Sequence, residues 1–188
     1  MEIELKAHVA DNESIRHLLF KKADYQYAFE KEDAYWSLPS GMGVGPARLR
    51  VRSENRTFSD RNEITSTFLT YKIKEVRDGI EVNDECEFEI SSSSGRTAEE
   101  FSSLLKMMGL IPGARKRKRG LSFYSDGINA ELTEVGKLGW FLELEIFDKN
   151  YRDEDFEKFK KRLLDFLADM GIAKEAIESR FYSDMIQE

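Results

Sequence analysis

Apolar and charged residues alternate with a period of two through much of the chain, and this pattern predicts β-strands. In the first such segment Ile3 and Leu5 point to one face, while Glu2, Glu4 and Lys6 point to the other. Further strands are predicted around residues 25–37, 49–52, 69–74, 85–90, 115–125, 128–135 and 140–148. The sequence therefore predicts seven or eight strands.

Three other segments have the apolar spacing of amphipathic helices. The first follows Asp11, which is a candidate cap, and the second follows Thr97 and stops at Gly109. The third and most regular follows Asp153 and stops at Gly171. Helices and alternating strands together predict an α+β protein.

Two connections between these elements have the composition of loops. Residues 39–46 are rich in glycine and proline, and they are predicted to form either a mobile lid or a plain surface connection, the second being the simpler interpretation. Residues 91–94 are four consecutive serines, which we interpret as a short linker.

Composition limits the protein to a few functional classes. A length of 188 residues, with 40% hydrophobic and 35% charged residues, suits a single globular domain over residues 1–188. The net charge of -7 argues against a general nucleic-acid or membrane-surface binder, since those partners need a basic face. Cys86 is the only cysteine, so no intramolecular disulfide can form. Without a signal peptide or an apolar span, a cytoplasmic protein is predicted.

The charged faces of the strands admit two interpretations. An open sheet would expose them to water, whereas a closed barrel would turn them into its lumen. The charges are sorted by sign along the strands, and solvation alone does not require such sorting. Several basic residues suit a polyphosphate, and carboxylates suit the hard divalent cation that accompanies it. The pattern therefore favours a binding site for a polyphosphate and a metal ion.

The charged strand segments also resemble the motifs of a known family. Glu2-Ile3-Glu4-Leu5-Lys6 matches the ExExK signature of the CYTH superfamily, which groups class IV adenylyl cyclases with thiamine and inorganic triphosphatases. Further segments resemble later family motifs in the same order, namely Leu49–Arg52, Thr70–Lys72, Glu85–Glu87, Arg117–Arg119 and Leu138–Glu145. The resemblance extends over almost the whole chain and is closest to the bacterial class IV cyclases.

This resemblance implies an eight-stranded antiparallel β-barrel, or triphosphate tunnel, with helices packed outside. It implies Mg²⁺ or Mn²⁺ as cofactor, and the predicted metal ligands are Glu2, Glu4, Glu143, Glu145 and Glu87. The predicted phosphate ligands are Lys6, Arg50, Arg52, Lys72, Lys74, Arg117 and Arg119. Glu4 and Lys6 are the predicted catalytic residues, and analogy with the cyclases suggests a homodimer.

Some positions leave alternatives open. Lys6 is predicted to contact phosphate, to orient an attacking water, or to form only a salt bridge, and His8 on the same face is either a catalytic base or part of a polar face. Thr133 stands where the family usually has an acidic residue, and Glu131 could substitute for it. Residues 179–186 resemble the tail of bacterial class IV cyclases, but they could equally be an amphipathic turn that caps the barrel.

The predicted function is conversion of ATP to cyclic AMP and pyrophosphate. A metal-dependent triphosphatase would use the same ligands, because the two reactions differ in which phosphorus meets the nucleophile. A non-catalytic sensor of a polyphosphate or nucleotide is the third alternative. The partner in each case is a triphosphate-containing small molecule such as ATP, thiamine triphosphate or tripolyphosphate, and neither nucleic acid nor a membrane is expected.

Overall fold

The fold is described by a computed structural model that covers residues 1–38, 47–92 and 94–186, without the side chains of residues 47 and 48. Within these residues eight antiparallel strands form a closed barrel in the order β1-β5-β4-β3-β2-β6-β7-β8. The strands are β1 (Glu2–His8), β2 (Asp24–Ser37), β3 (Ala47–Thr57), β4 (Glu63–Arg77), β5 (Ile80–Ile90), β6 (Ile111–Ser125), β7 (Ile128–Val135) and β8 (Gly139–Phe147). The predicted barrel is confirmed, and the open-sheet interpretation is wrong.

Four α-helices accompany the barrel in the described part of the chain. They are α1 (Asn12–Lys22), α2 (Thr97–Met107), α3 (Phe156–Asp169) and the short α4 (Tyr182–Met185). The Asp11 side chain caps α1 as predicted, accepting a hydrogen bond from the Ser14 backbone N–H at 3.1 Å. Asp153 does not cap α3 directly, because residues 153–155 first form a 3₁₀ turn.

The largest hydrophobic core lies outside the barrel. Outward-facing Ile3, Leu5 and Leu144 are fully buried beneath the apolar stripe of α3, which includes Phe159 and Leu163. A second cluster forms where Leu105 of α2 packs near Trp36 and Val51. Because helices cover the apolar faces of the strands, the charged faces are left to the lumen.

The two ends of the barrel differ. Residues 177–186 cross one end, which we call the closed end: Ile177 bridges to Ala7, and Tyr182 and Met185 pack against Phe141. At the opposite end, which we call the hairpin end, β1 begins, β8 finishes and the turn between β6 and β7 is located. The lumen thus has one end covered by the chain itself.

The predicted lid, residues 39–46, and Ser93 of the predicted linker lie outside the described residues. None of the helices in residues 1–38, 47–92 and 94–186 has both the length and the apolar character needed to span a bilayer.

Candidate active site

The barrel lumen contains a charged cavity of about 460 Å³, a size typical of small-molecule sites. Each of the eight strands contributes at least one charged side chain to its wall, for example Glu2 from β1, Lys72 from β4 and Glu143 from β8. Such a concentration of charge in a partly enclosed space requires either internal pairing or a charged ligand.

Three carboxylates converge near the hairpin end. Glu2, Glu4 and Glu145 each place a carboxylate oxygen within 4.8 Å of the other two, and we call them the acidic cluster. The antiparallel pairing of β1 with β8 sets Glu4 directly opposite Glu145. Lys72 lies beside the cluster, with its Nζ 2.5 Å from Glu2 and 3.6 Å from Glu4. Among the described residues Glu145 forms neither a hydrogen bond nor an ion pair.

The electrostatics of this cluster favour a cation. Burial, together with the charges of Glu2 and Glu131, raises the pKa of Glu145 well above its usual range. Burial also raises the pKa of Glu2 to about 7, despite the opposing charge of Lys72. Glu4 is held in its charged form: burial opposes this, but Lys72 and Lys74 keep its pKa well below the usual value. A bound cation would favour the ionised form of all three carboxylates, and three carboxylate oxygens fit Mg²⁺ or Mn²⁺.

A second group of charges lies across the lumen and is balanced internally. Asp33 accepts two hydrogen bonds from Arg52, at 2.7 and 3.0 Å, and Lys116 Nζ lies 3.1 Å from the same carboxylate. Arg50 completes this Asp33 cluster at 3.9 Å. Burial opposes ionisation of Asp33, but Arg52 and Lys116 hold its pKa well below the usual range. The aspartate therefore fixes three cations towards the cavity.

Further ion pairs extend this arrangement through the lumen. Lys118 Nζ lies 2.5 Å from Glu143, and Lys31 Nζ lies 2.5 Å from Glu131. At the closed end Glu81 bridges two lysines, with Lys6 at 2.7 Å and Lys74 at 2.5 Å. Lysines and carboxylates of different strands are therefore paired at these positions of the lumen.

The C-terminal segment supplies part of the cavity wall. The Tyr182 hydroxyl donates a hydrogen bond to Glu143 at 2.8 Å, and its ring lies 4.9 Å from Lys116 Nζ and 5.4 Å from Lys6 Nζ. Phe181 lies 4.6 Å from Lys74 Nζ. The tail therefore caps the barrel, as one of the two interpretations predicted, and it also contacts the lysines of the lumen.

Most predicted site residues lie in the lumen, although their roles remain predictions. Those that line the cavity are Glu2, Glu4, Arg50, Arg52, Lys72, Lys74, Glu87, Glu143 and Glu145. Lys6 is buried behind them at the closed end and is bound to Glu81. The salt-bridge alternative for Lys6 is therefore realised in this structure.

The prediction that Arg117 and Arg119 face the lumen is wrong. Both side chains are exposed on the outer surface, where Arg117 pairs with Glu32 at 2.7 Å and Arg119 pairs with Glu134 at 2.5 Å. Lys116 and Lys118 are the basic side chains that β6 directs into the lumen. The predicted phase of this strand was shifted by one residue.

Two of the five predicted metal ligands lie outside the acidic cluster. Glu143 accepts hydrogen bonds from Lys118 and from the Tyr182 hydroxyl. Glu87 accepts hydrogen bonds from Thr70 at 2.7 Å and from Arg50 at 3.2 Å. Neither carboxylate belongs to the group whose oxygens converge within 4.8 Å, so the fit to a cation is best at Glu2, Glu4 and Glu145.

Glu131, Thr133 and His8 differ in their access to the cavity. Glu131 lines the cavity, whereas the Thr133 hydroxyl is buried and donates a long hydrogen bond of 3.5 Å to the Arg119 carbonyl. His8 lies outside the cavity wall, half exposed, with its Nε2 3.2 Å from Glu178. The geometry therefore does not support His8 as a catalytic base.

Sequence reasoning missed the contribution of β2. Lys31, Asp33 and Tyr35 face the lumen, but the residues between them include Glu30 and Glu32, so both faces of this strand are polar. Alternation of polarity cannot distinguish two polar faces. Only the pairing of β2 with its neighbours defines which face is enclosed.

Comparison with known proteins identifies the family of this barrel. Residues 1–182 match the CYTH domain, and the chain therefore belongs to the CYTH family. It is 26% identical over 192 residues to a Methanocaldococcus jannaschii protein named "Putative adenylate cyclase", and the match covers 98% of both chains.

Solved structures show the same fold. A Pyrococcus horikoshii protein is 28% identical, with 98% of both chains covered and a TM-score of 0.77. A Hippeastrum protein described as a "putative adenylyl cyclase" with a dominant triphosphatase activity is 17% identical, with a TM-score of 0.64 over 99% of this chain and 94% of that one. At that level of identity the likeness to the Hippeastrum protein establishes the fold alone.

Proposed function

We propose that this protein is an adenylyl cyclase that converts ATP into cyclic AMP and pyrophosphate with Mg²⁺ or Mn²⁺. The observation that carries the proposal is the position of the acidic cluster, three carboxylates within 4.8 Å, on the wall of a lumen otherwise rich in arginine and lysine. A nucleoside triphosphate with its metal ion combines the two kinds of charge that these regions bind. The Methanocaldococcus relative, similar over its whole length, supports the same choice.

In this proposal the cations of the lumen bind the phosphates. Arg50, Arg52, Lys72, Lys116 and Lys118 all line the cavity and are held by carboxylates of neighbouring strands. A bound phosphate would share or replace those carboxylate contacts with charge-assisted hydrogen bonds. Because the side chains are already oriented, little conformational entropy remains to be lost on binding.

Cyclisation requires the ribose 3′-hydroxyl to attack the α-phosphorus while pyrophosphate leaves. Glu2, Glu4 and Glu145 would hold the divalent cation, which when bound polarises the phosphoryl group and lowers the pKa of the hydroxyl. Arg52 and Lys118 would neutralise the charge that develops on the leaving pyrophosphate. Lys6, which lies 5.4 Å from the Tyr182 ring, would bind the terminal phosphate in exchange for its present contact with Glu81.

A triphosphatase is the second candidate. The Hippeastrum protein of the same fold is described as having a dominant triphosphatase activity. In that case water would attack the γ-phosphorus, and Lys6 would be the residue placed to orient it. The same lumen would bind either substrate, and the products distinguish the two reactions.

The test is to incubate the purified protein with ATP or tripolyphosphate, each with Mg²⁺ or Mn²⁺, and to identify products by chromatography. Cyclic AMP with pyrophosphate would support the cyclase, and orthophosphate release would support the triphosphatase. Chelation of the metal should stop either reaction. Binding of ATP without any product would contradict both and favour the sensor. Light scattering on the same sample would test the predicted homodimer.

A further inference from the structure

We propose that the hairpin end of the barrel binds the nucleobase of the substrate, which stacks on Phe147 and Tyr124 while the Asn129 amide hydrogen-bonds to an adenine edge. This inference rests on the proposed function and specifies its substrate as an adenine nucleoside triphosphate. It assigns a role to three residues that lie outside both charged clusters.

The strand register places these residues beside the acidic cluster. Phe147 is the partner of Glu2 across β1 and β8, and it lies two residues beyond Glu145 on the same face of its strand. Asn129 is the β7 partner of Glu145, and Tyr124 in turn is the β6 partner of Asn129. All three line the same cavity as the cluster.

The two aromatic side chains are accessible to solvent as well as lining the cavity. Phe147 is 63% exposed and Tyr124 is 47% exposed. At the closed end, by contrast, Tyr182 is only 7% exposed, and its hydroxyl donates a hydrogen bond to Glu143. The hairpin end therefore offers accessible aromatic faces, and any nucleobase can stack on such faces because every base has a π-face.

Asn129 gives the site a means of selecting the base. Its side chain is exposed, and among the described residues its amide has no hydrogen-bond partner. A carboxamide pairs in two places with adenine, donating to N7 and accepting from the N6 amino group. Guanine presents acceptors at both positions, so the same amide cannot satisfy it. Asn129 is therefore expected to favour adenine.

The order of sites along the lumen matches the order of groups in ATP. Lys6, Lys74 and Lys116 lie next to the aromatic rings of the closed end. The acidic cluster lies nearer the hairpin end, and Phe147 lies beyond the cluster in the same direction. A triphosphate bound with its terminal phosphate at the closed end would bring the α-phosphorus towards the cluster. The base would then emerge beside Phe147.

The test measures the affinity of two probes, α,β-methylene-ATP and tripolyphosphate, by titration calorimetry with Mg²⁺ present. Phe147→Ala and Tyr124→Ala should each weaken binding of the ATP analogue by about 5- to 100-fold, and tripolyphosphate binding should stay within about twofold of wild type. Phe88→Ala is the matched control, because Phe88 is 60% exposed but lies outside the cavity wall. Asn129→Ala should reduce the preference for the ATP analogue over the corresponding GTP analogue.

Other outcomes would overturn the inference. If the two aromatic variants leave ATP-analogue binding unchanged, or weaken both probes equally, the base does not stack there. If the wild type binds tripolyphosphate as tightly as the ATP analogue, the base contributes nothing, and only the triphosphatase form of the proposed function survives. If the wild type binds neither probe, the proposed function itself fails. Thermal unfolding of each variant excludes misfolding as the cause.

Discussion

The Asp33 cluster and the acidic cluster lie in the same lumen but have opposite charge balance. Around Asp33 one carboxylate is surrounded by Arg50, Arg52 and Lys116, and its side chain is completely buried. In the acidic cluster Lys72 is the one cation within 4 Å among the described residues, and it pairs with Glu2 and Glu4 but not with Glu145.

The difference separates charges that stabilise the fold from charges that we propose bind a ligand. Asp33 is paired, and its low pKa means that folding favours its ionised form. Glu145 is unpaired, and its high pKa means that its ionised form opposes folding. Buried groups with strongly shifted pKa values cluster at functional sites, where their charge acts on a ligand or substrate.

The largest expected effect follows removal of the paired carboxylate. Asp33→Asn would leave Arg52 and Lys116 buried without a counter-charge, and loss of one partner of a buried ion pair costs about 3–5 kcal/mol. We expect the melting temperature to fall by about 6–20 °C in thermal unfolding. Glu32→Gln is the control on the outer face of the same strand, and it should change stability by less than about 0.5 kcal/mol. Equal melting temperatures for the two variants would contradict the stabilising role assigned to Asp33.

The second expected effect separates activity from stability. Glu145→Gln should lower Mn²⁺ affinity and turnover by about 100-fold or more, since even residues that only support metal ligands are worth about 10- to 100-fold. The melting temperature should not fall, because the change removes repulsion with Glu2. Calorimetric Mn²⁺ titration and a product assay would measure both. Glu87→Gln, outside the cluster, should lower Mn²⁺ affinity far less; a similar loss would return Glu87 to the ligand set.

Neighbouring residues of β6 test the corrected phase of that strand. Lys118 is 5% exposed in the lumen, whereas Arg119 is 69% exposed outside. Lys118→Gln should weaken tripolyphosphate binding about 10- to 100-fold, the value of a hydrogen bond to a charged group. Arg119→Gln should leave the affinity within about twofold. The reverse result would restore the phase that the sequence predicted.

The smallest effect concerns a paired carboxylate at the closed end. Hydrogen bonds from Arg180 and His8 lower the pKa of Glu178 from 4.5 to about 2. A folded-state pKa below the unfolded value stabilises the protein above pH 4.5, and that stabilisation is lost as the pH falls towards 2. Glu178→Gln should therefore cost about 1 kcal/mol at pH 7 and flatten the acid side of the stability profile. Parallel wild-type and variant profiles from denaturant unfolding would exclude this contribution.

Much of this architecture was predictable from polarity alone. Strands such as β1 carry apolar residues on one face and charges on the other, so both the strand and the direction of Glu2, Glu4 and Lys6 follow from the alternation. Closure into a barrel was indicated by the family motifs and by the sorting of the strand charges by sign. Neither source located the ion pairs, since those depend on register between strands that are distant in sequence.

β6 shows why phase can fail. Residues 115–119 are all basic, so alternation is invisible there. Further along the same strand, Phe123 is fully buried in the hydrophobic core outside the barrel. Extending the parity of Phe123 backwards puts Arg119 outside and Lys118 inside. The signal was present four residues from the place where it was needed.

Closure of the barrel between β1 and β8 has a consequence for synthesis of the chain. Glu2 and Glu4 leave the ribosome more than 140 residues before Glu145, to which β8 later joins them. Tyr182 reaches the lumen later still. Until β8 has been translated, the nascent chain therefore leaves one edge of β1 unpaired, and the acidic cluster is complete only when β8 pairs with that edge.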